Sequence, residues 1–386
     1  MDFEFTMRQK LLKEAAREVM EKEIIPIADE YDKNKLLLDR GRLKGLLDKL
    51  IPLGYIGAFL PKEEGGYGLD NVTYGVITEE LFRAYASLGM VVSLLNTLGG
   101  IGLFGTPEQK KKFLPSIIKG EKIICNAISE PNVGSNPAQI ETEAILDGDC
   151  YVVNGTKTWI TNGSISDLCT LVAQTKGGSG ASGLCHLIVE RAVSPYEAKE
   201  LPKMGMRSCP TAELYFRNCR VPKENLLVRP GEGLKSILRE FEIMRGLMAL
   251  GAAGMGQAAI DASIRYAKQR TQFGKPIGSF QLIQKMISDM IVETEICRLL
   301  GYRALSMVDK GIRCDTEASM AKFYGVEAAV RITYRGIQVH GAMGLSEDLP
   351  LERYFRDARC WVIPDGTPEI QRLIVARNSL GINAIR

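Results

Sequence analysis

Near its C-terminal end the chain reads Val362-Ile363-Pro364-Asp365-Gly366-Thr367-Pro368-Glu369-Ile370-Gln371-Arg372, and Asp365 is the residue there suited to chemistry. Thr367 is a good helix N-cap and Pro368 a good first helical residue, so Asp365 stands just outside a helix N-terminus. The positive end of that helix favours a carboxylate, while burial against an apolar ligand raises its pKa. Together these describe a base for abstracting a proton. Taken alone, Pro-Asp-Gly-Thr is equally an ordinary turn into a helix.

Four further stretches carry polar groups at suggestive spacing. Ala127-Ile128-Ser129-Glu130-Pro131-Asn132-Val133-Gly134-Ser135-Asn136 follows a β-like run with a loop rich in backbone and hydroxyl donors. Lys157-Thr158-Trp159-Ile160-Thr161-Asn162-Gly163 puts an indole and a hydroxyl on alternate strand positions. Arg270-Thr271-Gln272-Phe273-Gly274-Lys275-Pro276-Ile277 closes one helical pattern and leads to the next, with Gln281 after it. Gln338-Val339-His340-Gly341-Ala342-Met343-Gly344 ends another. Each has a plain reading as a loop, a strand or a basic helix C-terminus. Gly254-Met255-Gly256 mimics a dinucleotide fingerprint but lies inside a helical pattern, so it reads as a close helix approach instead. His186 and His340 are the only histidines and no G-x-S-x-G elbow accompanies them, which disfavours a His-rich metal site and Ser-His-Asp hydrolysis.

The elements that must position these groups fall into three blocks. Thr6-Met7-Arg8-Gln9 has capping-box spacing ahead of Leu11, Leu12, Ala15 and Val19, and Pro26 should kink or end that helix. One long apolar helix is predicted from about Val72 to Leu98, and Thr106-Pro107 starts another. From Lys122 the runs turn short and β-like, with Asp147-Gly148-Asp149 as a hairpin turn and Gly177 to Gly183 as a flexible surface loop. From about Gly233 onward helical period returns, through 241–270, 279–310 and 316–339, with Ile283, Met286, Met290 and Leu300 marking a core face. Helices, a β unit, then long helices give an α+β chain rather than a doubly wound sheet. The predicted boundaries are 1–120, 121–232 and 233–386.

Composition narrows the class. The 386 residues are 45% hydrophobic with a net charge of +3, and no basic arm points to nucleic acid. No uninterrupted apolar run suggests membrane insertion, and Met1-Asp2-Phe3-Glu4-Phe5 lacks the pattern of a secretion signal. The nine cysteines include no C-x-x-C pair, which fits reduced thiols and a cytoplasmic setting.

Taken together and in this order, the motifs resemble those of the acyl-CoA dehydrogenases, from the first helix to the last. The resemblance implies an N-terminal helical domain, a middle β domain and a C-terminal four-helix bundle. It implies FAD, with Ser129, Ser135, Trp159 and Thr161 at the isoalloxazine or pyrophosphate. It also assigns Gln272, Phe273, Gln281, Thr367 and Glu369 to the cofactor, and Arg270, Gln338 and Gly341 to the FAD of a neighbouring subunit. A homotetramer built as a dimer of dimers follows, with an electron-transferring flavoprotein as acceptor. Asp365 matches the family's base, taking an α-proton while the β-hydride goes to flavin N5, and Ser135, Met244 and Arg245 match substrate positions.

Two departures stand out. The usual base is glutamate, one methylene longer than Asp365, and the alternative base position on the preceding long helix is Met244, which cannot take a proton. A shorter base implies a substrate other than a plain straight chain: branched, cyclic or presented on a carrier protein. Besides an acyl-CoA, the resemblance leaves open an acyl-carrier-protein dehydrogenase, a nitroalkane oxidase-like enzyme and a catalytically weak flavoprotein.

Overall fold

A computed structural model describes residues 4–175, 178 and 180–384. The N-terminal block is helical. Helix α1 (Met7–Val19) starts on the predicted capping box, in which Thr6 accepts from the Gln9 N–H and the Gln9 side chain accepts from the Thr6 N–H. A π-helical turn, Met20–Ile24, separates it from α2 (Ile25–Lys33), so Pro26 sits in the first turn of a new helix, where its missing N–H costs nothing. Helix α3 spans Arg40–Leu50. The single long helix predicted from Val72 is two, α4 (Asn71–Ala84) and α5 (Ala86–Asn96). Tyr85 between them is extended at φ −159° and ψ 101°, and its buried ring lies 5.6 Å from the Arg353 guanidinium, a tertiary contact that overrides the local helical period. A turn at Leu98–Gly100 leads into α6 (Ile101–Phe104), and the Thr106 capping box opens α7 (Pro107–Ile118).

Eight strands form the middle sheet among the described residues: β1 (Ile124–Ala127), β2 (Glu143–Asp147), β3 (Cys150–Thr161), β4 (Leu168–Thr175), β5 (Leu184–Glu190), β6 (Glu197–Glu200), β7 (Thr211–Pro222) and β8 (Leu226–Val228). Their order is β6-β7-β3-β2-β4-β5-β8, with β1 parallel to β4. Gly148-Asp149 makes the predicted hairpin between β2 and β3. Of the glycine-rich surface loop, Gly177 and Ser179 lie outside the described residues, and Gly180–Gly183 is a short 3-10 turn.

The C-terminal block is built on α8 (Gly233–Gln269), which starts where helical period was expected to return, although Glu232 supplies no side-chain cap. A two-strand hairpin, β9 (Thr271–Gln272) and β10 (Lys275–Pro276), precedes α9 (Gln281–Asp309), α10 (Asp315–His340), α11 (Leu351–Trp361) and α12 (Pro368–Leu380). Gly254 lets α8 pack on α4, because a Cβ there would collide with the Glu79 carbonyl. Two segments, Ala86–Phe104 and Gly233–Gln269, are long and apolar enough by composition to cross a bilayer. Their most apolar windows are 72% and 83% buried within the protein itself.

A fully buried ion pair ties the middle sheet together. Lys157 on β3 donates to Glu130 at 2.8 Å and to the Ile128 carbonyl at 2.9 Å, while Glu130 accepts from the N–H groups of Glu141 and Thr142. Burial pushes the Lys157 ammonium down to about 8 despite Glu130. Removing one partner of such a pair leaves a buried charge, so Lys157→Met should lower stability by about 3–5 kcal/mol in urea unfolding. Adding Glu130→Leu should recover only part of that loss, because two N–H groups then lose their acceptor.

Candidate active site

The loop between α11 and α12 is fixed by its backbone. Lys322, buried on α10, donates to the carbonyl oxygens of Val362 at 2.7 Å and Gly366 at 2.8 Å. The buried Gln371 amide donates to the carbonyls of Asp365 and Gly366, both at 3.2 Å. Held this way, Asp365 takes a left-handed backbone at φ 55°, uncommon for any residue with a side chain. Trp361 anchors the near end of the loop by donating to the Met248 carbonyl of α8 at 2.9 Å. Thr367 has N-cap geometry at φ −60° and ψ 159°, yet its hydroxyl makes no cap bond to the helix backbone. The Glu369 carboxylate instead takes its own backbone N–H and the Thr367 hydroxyl, which hold it low.

Three charged neighbours set the chemistry of the Asp365 carboxyl. Burial raises its pKa, and the cations of Lys322 and Arg245 oppose the rise. Burial lowers Lys322 to about 8, with Asp365 working the other way. Arg245 is buried on α8, its guanidinium 5.6 Å from the Phe241 ring centroid and its Nε without a hydrogen-bond partner. Met244 beside it is half-buried and packs into the main apolar core. The third neighbour is Glu240, which sequence reasoning missed. Burial, and then the charge of Asp365, push its carboxyl up to about 7. Its signal was helical phase: Glu240 lies four residues before Met244, on the same face. Glu242, two residues along, acts on Arg245 and Cys314.

The two donor-rich segments of the middle sheet are joined. Thr158 donates its N–H to the Ser129 carbonyl at 2.9 Å, beside the Lys157–Glu130 pair. The expected strand alternation at Trp159 fails, because a bulge between Lys157 and Ile160 puts Trp159 at φ 60° and leaves its indole 60% exposed. Bulges re-aim side chains in this way. Thr161 is half-buried at the strand end, Ser129 half-buried and Ser135 exposed. None of these three hydroxyls, nor the Trp159 indole N–H, has a hydrogen-bond partner among the described residues.

Arg270, Gln272, Phe273 and Gln281 are all exposed around the β9–β10 hairpin, with Phe273 93% exposed at its tip. Ala267, Ile277 and Val339 pack together, and Tyr266 stacks on His340 at 4.3 Å. These contacts set the hairpin beside the exposed Gln338 and Gly341 at one end of the bundle. Among the described residues, no hydrogen bond, ion pair or ring contact links that end to Ser129, Trp159 or Asp365. The predicted residues therefore form three groups: the Asp365 loop with α8, the Ser129–Trp159 surface, and the Arg270–Gln338 end.

Family profiles match the whole length: acyl-CoA dehydrogenase N-terminal domain over residues 6–121, middle domain over 125–219 and C-terminal domain over 231–380. The chain is 38% identical to a 3-(aryl)acrylate reductase of Clostridium sporogenes, across 97% of this chain and 99% of that one. It is 37% identical to the mitochondrial short-chain specific acyl-CoA dehydrogenase of Mus musculus, across 96% and 90%. The butyryl-CoA dehydrogenase of Megasphaera elsdenii superposes with a TM-score of 0.93 at 32% identity, across 98% and 100%.

Glu240 gives the site a measurable pH signature. A carboxyl held near 7 in the folded chain and near 4.5 unfolded contributes stability that is complete below pH 4.5 and lost as pH rises through 7. Glu240→Gln removes that loss. Its stability relative to the unsubstituted protein should therefore improve between pH 4.5 and pH 8, by on the order of 1–3 kcal/mol in paired urea titrations.

Proposed function

This chain belongs to the acyl-CoA dehydrogenase family, and from that premise we propose that it oxidises the α,β bond of an acyl thioester with FAD and with Asp365 as the α-proton base. The observation that carries this reading is the Asp365 loop. Its backbone is held by Lys322 and Gln371, and its carboxyl lies between burial, which favours the proton, and two cations, which favour its loss. A base poised in this way can take a carbon-bound proton near neutral pH. Glu240, whose carboxyl burial pushes up to about 7, sits on α8 rather than on the Gly-Thr-Pro turn that matches the family's base.

The Ser129–Trp159 surface suits a flavin. Its hydroxyls and indole N–H are unengaged, and donors of this kind match the ring's carbonyl oxygens and N5. FAD, when bound, supplies the acceptor for the β-hydride. Trp159 would wall one face of the ring, Ser129, Ser135 and Thr161 would fix its polar edge, and Thr367 and Glu369 would border it. Arg270 is an exposed guanidinium suited to bidentate phosphate contact. With Gln272, Phe273, Gln281, Gln338 and Gly341 it would meet the cofactor of a second copy, which fits its distance from Trp159 in contacts and the exposed Phe273. A homotetramer, an electron-transferring flavoprotein as acceptor and a cytoplasmic site complete the proposal. Ser135, Met244 and Arg245 would line the thioester arm. The similarity to a 3-(aryl)acrylate reductase favours a second reading, in which Asp365 returns the α-proton and the enzyme works as a reductase.

The purified protein should be yellow, and Arg270→Ala should lose FAD on dilution or gel filtration. Asp365→Asn should keep FAD but slow its bleaching by acyl-CoA about 100- to 10,000-fold in anaerobic stopped flow. A colourless protein without affinity for FAD, or full activity in Asp365→Asn, would overturn this account.

A further inference from the structure

The dehydrogenation just described leaves Glu240 without a task. Its carboxylate makes no hydrogen bond or ion pair with any described residue. It lies against the turn before α6, where a Cβ on Gly100 would stand 2.5 Å from its Oε1. Gly100 is in a left-handed conformation at φ 72°, so glycine there meets a backbone demand and also leaves the space that Glu240 fills. Across from it, the Asp365 side chain has no hydrogen bond. Arg245, five residues along α8 and 4% exposed, has an Nε with no partner. Asp365 acts electrostatically on both of the others. The Arg245 Nε is a buried donor left for an acceptor on the ligand, while the half-buried Glu240 and Asp365 carboxylates are acceptors left for a donor.

We propose that Glu240 is the residue that selects the acyl group, by accepting a hydrogen bond from an N–H or O–H donor on the acyl tail, with an ammonium preferred over a hydroxyl. This rests on the dehydrogenase reading above and specifies its substrate class. An alkyl tail would cover Glu240 and leave it desolvated and unpaired, and a site built to hydrogen-bond rejects the analogue that lacks the group. The shorter base fits the same picture. Aspartate at 365 keeps its carboxylate one methylene further back than glutamate would, leaving room between two like charges for the donor.

The test uses the FAD-loaded enzyme. ω-Hydroxyacyl- and ω-aminoacyl-CoAs are compared with the methyl-ended acyl-CoA of the same length, by kcat/KM for flavin reduction. Affinity is read separately by calorimetry on the Asp365→Asn holoenzyme. Donor-ended substrates should be favoured on the order of 100-fold at the best chain length. Glu240→Leu should invert that ratio by improving methyl-ended substrates while weakening donor-ended ones. Glu240→Gln should keep the hydroxyl preference and lose the ammonium preference. Equal rates for donor-ended and methyl-ended substrates would overturn the assignment while leaving the dehydrogenase reading intact. So would a Glu240→Gln enzyme slowed equally on every substrate, which would make Glu240 a base. If no acyl-CoA of any kind reduces the flavin, the dehydrogenase reading fails and this inference fails with it.

Discussion

The buried ammonium of Lys322 is the constraint on which the Asp365 loop depends. It reaches from two turns into α10 and takes two carbonyls, those of Val362 and Gly366, on either side of Asp365. A loop of glycine and proline neighbours would otherwise sample many conformations, and a left-handed aspartate would be among the costlier ones. Two charge-assisted hydrogen bonds offset that cost and select one arrangement. The same ammonium also acts through space on the carboxyl it positions. One side chain thus contributes to both position and acidity, beside Gln371, burial and Arg245. Lysine is suited to this because its compact charge carries three donors and no acceptor, so it can bind carbonyls without competing for the proton.

The middle sheet repeats this device. Lys157 takes the Ile128 carbonyl and the Glu130 carboxylate, and Glu130 in turn holds the backbone at residues 141 and 142. The Ser129 loop and the Trp159 strand therefore share one node. Surface polar groups around it stay unengaged because the buried pair has already fixed the backbone that presents them. In both places a buried lysine organises irregular backbone, and the side chains beside it are left for other work.

Local chemistry was legible in the sequence and long-range chemistry was not. The caps at Thr6 and Thr106 and the turn at Gly148 depend on a few adjacent residues, and they formed as read. Tyr85 breaks a helix because of a contact with Arg353, far away in the chain. The bulge at Trp159 has no local cause that alternation could show. The turn that carries Asp365 could be read because Gly-Thr-Pro marks a helix start within three residues. Lys322 is in phase with the buried face of its helix, between Ala318 and Val326, but nothing local names the carbonyl 40 positions away that it binds. Glu240 belongs to no motif, and only its helical phase with Met244 places it on that face.

Helix α8 deserves a mechanical description. It is 37 residues long without interruption, with Glu240 and Arg245 near one end and Arg270 just past the other. At about 1.5 Å per residue, the 30 positions from Glu240 to Arg270 make a rod of about 45 Å. A tilt of about one degree at the carboxylate end would then carry the guanidinium end by roughly 0.8 Å, by the same geometry. Displacements of that order change whether a hydrogen bond forms. The rod is clamped along its length by α4, α9 and α10, so its two ends are joined through one packed element.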